Sequence, residues 1–308
     1  MIVRTVLGDI NPKDLGVTYM HEHLIIDSRI VATDYPHIHL PNVEEAIAEV
    51  KLCVDAGVNS MVDCMPTGSG RSMEKLARIS NSTGINIIAS TGLHHARYYA
   101  LDDPLESMTT SQLAAIFVED ITNGADSTQY KAGLIKAVSS GREMTVREER
   151  LFESAAIAQK STGAPILTHC EHGTGALRQL EKMQSIGIDL SHVVLSHTDQ
   201  DIDFGYHQEI LSTGVFVEYD QSLRQMQDAQ APSAKLTAAM IEKGFINQIM
   251  LGTDGARRTL WKSLGGTPGL AALYTEWGNK LRALGVTQEN LNTIFISNPA
   301  RALSFKVT

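Results

Sequence analysis

The sequence predicts a (β/α)8 TIM barrel, and three observations carry that expectation. Eight short apolar, β-rich runs alternate with amphipathic helical segments along 308 residues, and strict alternation of strand and helix builds a parallel sheet. Eight such units in about 300 residues suit a closed barrel better than an open doubly wound sheet. The first strand ends in His21-Glu22-His23, where a doubly wound nucleotide fold carries a glycine-rich phosphate loop. No Pro- or Ser-rich linker or charge run interrupts the chain, so residues 1–308 read as one domain.

The first strand lies near Val17–Leu24. After it, Val43, Ala46, Ile47, Val50 and Val54 fall on one helical face, and Gly57 ends that helix. Val58–Met65 is the second strand, followed by a polar, Gly-rich loop from Pro66 to Arg71. A helix around Ser72–Thr83 leads into the third strand, Ile85–Thr91. The remaining strands fall at Ala132–Ala137, Ala164–His169, His192–His197, Gly214–Tyr219 and Gln248–Thr253. Helices separate them, notably Val146–Thr162, Gly175–Ile186 and Ser233–Lys243.

A chain of this size buries enough surface to hold a core without disulfides or a structural metal. Its 35 acidic and 26 basic side chains give a net charge of −9, which argues against a nucleic-acid or anionic-membrane surface. The 3 cysteines, Cys53, Cys64 and Cys170, form no CxxC pair and point to a reducing compartment. The N-terminus lacks the charged start and apolar stretch of a signal peptide, and no apolar run approaches the roughly 18 residues of a membrane span. A cytoplasmic protein is expected. The 11 histidines are the notable excess, because imidazole is the commonest metal ligand.

A barrel gathers its functional groups at the C-terminal ends of the strands. His21 and His23 close strand one, and a period of two points both to one side with Glu22 facing away. Lys136 ends strand four, His169 closes strand five, His197 closes strand six and Asp254 follows strand eight. Singly, each has a plainer reading: a packed histidine, a snorkelling Lys136, an Asp254 helix cap. Six of them at one geometric end suit a metal site. Asp63, near the end of strand two, is a candidate to hold the outer nitrogen of a ligand histidine, or is core. Cys64 and Cys170 read as packing, and His172 and His207 as solvated. His37, His39, His94 and His95 lie in loops or near strand ends where a pocket would form.

The segment Gly16-Val17-Thr18-Tyr19-Met20-His21-Glu22-His23-Leu24 resembles the opening signature of the phosphotriesterase-related family in the amidohydrolase superfamily. The resemblance continues in Ala132-Gly133-Leu134-Ile135-Lys136, Thr168-His169, Ser196-His197-Thr198-Asp199 and Gly252-Thr253-Asp254, nearly the whole chain. It implies a centre of two divalent ions, usually zinc, with manganese or cobalt as alternatives. His21, His23 and Asp254 would hold one ion, His169 and His197 the other. Lys136 would bridge them as an N-carboxylated lysine. That transfer is physically sound: a lysine amine of pKa about 10.4 is a cation beside dications, whereas its carbamate is an anionic oxygen donor. The resemblance further implies a bridging hydroxide as nucleophile and Asp254 as its proton carrier.

Members that resemble this chain divide among lactonases, carboxylesterases and organophosphate hydrolases. Arg224 follows strand seven, and Arg257 and Arg258 follow strand eight, the usual phosphate corner of such barrels. Guanidinium forks suit phosphate or carboxylate, and within the family this arginine arrangement is similar to that of the phosphorylated sugar-lactone hydrolases, so the resemblance implies a lactonase for an anionic, phosphorylated sugar lactone. Arg224, Arg257 and Tyr98 are the candidates for substrate contact. A tyrosine found a few residues beyond the second arginine in phosphorylated sugar-lactone hydrolases is absent, because Thr259-Leu260-Trp261 occupies that stretch. The alternatives are a hydrolase of neutral lactones, esters or phosphotriesters, and a non-catalytic barrel that binds metal or ligand. The complete ligand set opposes the last. Homodimers are common among such proteins, and no interface signal stands out in the sequence.

Overall fold

Parallel strands bury both faces, so short runs of Val, Ile, Leu and Met become stable only where a sheet is covered on each side. The computed structural model describes residues 1–141 and 143–306. It begins with an antiparallel hairpin, β1 (Val3–Thr5) and β2 (Gly8–Ile10). Eight parallel strands follow: β3 (Thr18–Glu22), β4 (Ser60–Asp63), β5 (Asn86–Gly92) and β6 (Leu134–Ser139), then β7 (Ile166–Cys170), β8 (Val193–Ser196), β9 (Phe216–Tyr219) and β10 (Ile249–Leu251). They pair in chain order. The N–H groups of Thr253 and Asp254 donate to His21 O at 3.2 and 2.9 Å, joining the last strand to the first. The expected barrel is present, with each strand within a few residues of its predicted place.

The helix Val146–Thr162 has the predicted bounds. Thr145 and Glu148 form a capping box at its start, and Gly163 ends it at φ 75°, a left-handed conformation that glycine adopts without a steric penalty. The β1–β2 hairpin is the addition that sequence reading misses. Strands of three residues are too short for alternation to stand out.

Two apolar layers result. Inside the barrel pack Met20, Val62, Ile88, Leu134, Leu167, Val194, Phe216 and Met250, one from each strand, with Val3, Leu15 and Leu303 in the same cluster. The larger layer lies between strands and helices and includes Tyr19, Ile87, Ile135, Phe152, Val217 and Trp277. The interior layer fixes the site above it. Along a strand, the residue two places beyond an inward one also points inward, so Leu134 leads to Lys136, Leu167 to His169, and Phe216 to Glu218 and Asp220. Cys53, Cys64 and Cys170 are free and buried. No helix among the described residues is long and apolar enough to cross a membrane.

Candidate metal centre

All six expected ligand side chains converge at the C-terminal mouth. The β3–β4 register shifts between Tyr19 and Glu22, so alternation breaks there. His21 Nε2 stands 3.3 Å from Lys136 Nζ. The His21 ring centroid lies 5.4 Å from that of His23 and 4.6 Å from that of His197, and His169 and His197 are 4.3 Å apart. His23 Nε2 approaches Asp254 Oδ1 at 3.4 Å. One donor atom from each of His21, His23 and Asp254 lies within 4.8 Å of the others. His197 and Asp254 sit at φ 67° and 41°, strained values for residues with a Cβ and typical of functional sites.

The donor chemistry fits a pair of divalent cations. Buried polar atoms normally find partners, yet His197 Nε2 and His23 Nδ1 are buried without one. Lys136 is fully buried, and the one hydrogen bond of its amine among the described residues goes to an imidazole, not a carboxylate. Imidazole nitrogens with a carboxylate are the ordinary ligands of zinc and similar ions.

Three carboxylates stand behind the histidines. Asp220 Oδ2 is 2.5 Å from His197 Nδ1. Glu171 Oε2 is 2.6 Å from His169 Nε2 and 3.1 Å from His95 Nε2, and Arg97 pairs with the same carboxylate. Glu218 Oε2 lies 3.4 Å from His21 Nδ1. Burial opposes charge on His197, but Asp220 beside it holds its pKa above the ordinary histidine range. Hydrogen bonds from His169 and His95 hold the Glu171 carboxyl far below the usual range. Burial, then Lys136, lowers His21.

Of its two candidate readings, Asp63 shows the core one. Its oxygens accept from the backbone N–H of Leu24, Ile25 and Met65 at 2.7, 3.4 and 3.1 Å, so it braces the chain after His23 and makes no hydrogen bond to an imidazole. Glu22 accepts from Thr253 N–H at 3.0 Å and from the Thr253 hydroxyl, locking β3 to the segment that carries Asp254. His207, expected in solvent, is fully buried; its ring lies between Asp201 O at 2.8 Å and the Tyr219 hydroxyl at 2.9 Å.

The mouth opens into a cavity of about 400 Å³. Its lining includes His23, His94, Tyr98, His169, His197, Gln200, Gln221 and Asp254, with Arg97, Arg224 and Arg257. The three arginines differ. Arg224 Nη2 is held by Asp254 Oδ2 at 2.6 Å, so the guanidinium expected at a substrate is instead paired with the expected proton carrier. The Arg257 guanidinium has no hydrogen bond or ion pair with any described residue, and Arg257 lines the cavity. Arg258 donates to His39 O at 3.0 Å and is not in the lining. Sequence reasoning missed Arg97, Glu171, Glu218 and Asp220. A larger cavity of about 710 Å³ beside Met1, Ile157 and Phe305 contains none of these side chains.

Comparison with known proteins agrees. A family model described as "Phosphotriesterase family" matches residues 1–303. A phospho-furanose lactonase of Mycoplasmopsis synoviae is 30% identical, covering 98% of this chain and 91% of its own. An aryldialkylphosphatase of Saccharolobus solfataricus is 30% identical, covering 96% of this chain and 97% of its own. The crystal structure of a lactonase from Listeria monocytogenes superposes with a TM-score of 0.94 at 28% identity, over 99% of this chain and all of that one.

Proposed function

The chain belongs to the phosphotriesterase family and is a hydrolase acting on ester bonds, and we propose that it opens an anionic lactone, with a phosphorylated sugar lactone as the substrate class. The observation that carries this is Arg257. It is an unpaired guanidinium in a cavity whose floor is the histidine and Asp254 cluster. A neutral substrate would leave that cation unanswered beside the centre, whereas a phosphate or carboxylate gives it a bidentate partner. The phospho-furanose lactonase named above is a relative over nearly the whole chain, which supports the same reading.

In this proposal His21, His23 and Asp254 would hold one divalent ion and His169 and His197 a second, with Lys136, carboxylated, as a further anionic ligand. When bound, such ions lower the pKa of water towards neutrality and polarise an ester carbonyl. The chain's own groups do the rest. Asp254 accepts the proton released in the attack and delivers it to the leaving ring oxygen. Arg224 fixes the Asp254 carboxylate in place. Tyr98 and Arg257 line the cavity where the substrate's remote end sits. Asp220 and Glu171 orient His197 and His169. The buried free cysteines suit a cytoplasmic setting.

A second reading, a neutral lactone, ester or phosphotriester, rests on the apolar wall of Ile26, Ile38 and Met65 in the same cavity. A pH-indicator screen of lactones with and without phosphate, on metal-reconstituted protein, separates the two. The phosphorylated compounds should be favoured by roughly 10–100-fold in kcat/KM, the equivalent of one charge-assisted hydrogen bond. Equal rates on both sets, or turnover of the neutral set only, would reject the anionic reading.

A further inference from the structure

We propose that Glu218, from the inward face of β9, is the positioning residue for His21: its carboxylate receives the Nδ1–H and so keeps Nε2 aimed at Lys136 and the ion beside it. The inference rests on the metal reading above and extends it to a side chain in the wall below the centre. Glu218 is fully buried and His21 is 1% exposed. Both Glu218 oxygens and His21 Nδ1 lack a hydrogen-bond partner. Nδ1 and Oε2 lie 3.4 Å apart, a donor and an acceptor facing each other. Such bonds are often long in a site without its ligands.

Two neighbours direct the pair. Asp220, two residues further along the inward face, is taken by His197 Nδ1 at 2.5 Å, which leaves His21 for Glu218. Gly252 on the far side has no side chain; a Cβ there would stand 2.5 Å from Glu218 Oε1 and 2.8 Å from His21 Cβ. The glycine reserves space for this carboxylate against this imidazole. An imidazole whose outer N–H is held has one tautomer, with the lone pair on the nitrogen facing the ion. A carboxylate buried for stability alone would be matched to N–H or O–H donors of the fold, as Asp63 is.

The test uses the full chain, metal-stripped and reconstituted with zinc, as wild type, Glu218→Leu and Glu218→Gln. Ions per chain and chelator competition are measured, with thermal unfolding of the stripped forms. In Glu218→Leu one of the two ions should be held roughly 10–100-fold more weakly. Glu218→Gln, whose amide oxygen still accepts from Nδ1–H, should lie closer to wild type. Stripped Glu218→Leu should melt no lower than stripped wild type, because burying the carboxyl costs about as much as its one bond to His21 returns. If Glu218→Leu does not fold, Glu218→Asp, which withdraws the carboxylate by one methylene, should show the same weakened ion. Both ions held as tightly in every variant as in wild type would overturn the assignment. So would stripped variants that unfold early while binding zinc normally, the mark of a packing role. Fewer than two ions in the wild type would instead overturn the metal reading, and this assignment with it.

Discussion

Arg224 and Asp254 form an ion pair at the barrel mouth, with Nη2 2.6 Å from Oδ2 and a second hydrogen bond from the same nitrogen to the Asp254 carbonyl at 3.0 Å. Burial disfavours the ionised carboxyl, yet Arg224 beside it keeps the Asp254 pKa well below the ordinary range. In the proposed mechanism an arginine so committed orients the reacting centre, whereas Arg257 is left to meet a ligand.

The two arginines should therefore fail differently. Arg257→Met should raise KM for a phosphorylated lactone by about 10–100-fold, the loss of one charge-assisted hydrogen bond, with little change for an unphosphorylated one. Arg224→Met should lower kcat by about tenfold and leave KM nearly unchanged, the signature of a group acting on the transition state. Steady-state kinetics on a matched lactone pair decides; an identical effect of both substitutions on KM would contradict the division.

Asp254→Asn removes the proposed proton carrier while preserving shape. Turnover should fall by about 100-fold or more, the scale of general acid–base catalysis. Retention of the wild-type rate would exclude this role for Asp254.

Metal removal should destabilise the chain. The unpartnered nitrogens of His197 and His23 gain nothing when no ion is bound. An ion present at 100 times its Kd stabilises by about 2.7 kcal/mol, several degrees in Tm for a domain of this size. Calorimetry with and without a chelator measures it, and an unchanged Tm would argue against tight ligation.

Tyr99 sets an alkaline limit away from the centre. Its hydroxyl donates to Thr67 O and accepts from His94 N–H, each at 2.9 Å. Burial pushes the phenol up to about 12, above about 10 in an unfolded chain. The unfolded state therefore loses its proton first. Stability is fully present below pH 10 and falls as pH rises towards 12, by roughly 2–3 kcal/mol in total. Tyr99→Phe should be less stable at pH 8 and flatter between pH 10 and 12 in urea unfolding; equal slopes would refute it.

The fold was legible because each barrel strand carries a run of apolar residues broken by a helix of clear period, as at Val146–Thr162. The six mouth residues were legible because strand ends converge in a barrel whatever the loops do. Glu218 and Asp220 lie two and four places beyond inward Phe216, so the same alternation could have marked them. They pass unnoticed because acidic residues at a strand end also read as a loop beginning. Asp63, near the end of strand two, had two readings, and its carboxylate is taken by the backbone amides of Leu24 and Met65. The different postures of Arg224, Arg257 and Arg258 follow loop geometry, which has no period to read.

The seam between β3 and β10 has a consequence for how the molecule comes into being. Glu22 and Thr253 are 231 residues apart, and His21 O accepts from Thr253 and Asp254 N–H at that seam. Formation of the His21, His23 and Asp254 trio thus coincides with a closure across 231 residues, a slow kind of contact to form. A growing or truncated polypeptide that stops before β10 has no such trio, so the centre cannot form early on a half-made barrel. Completing the ring and arming the chemistry are one event.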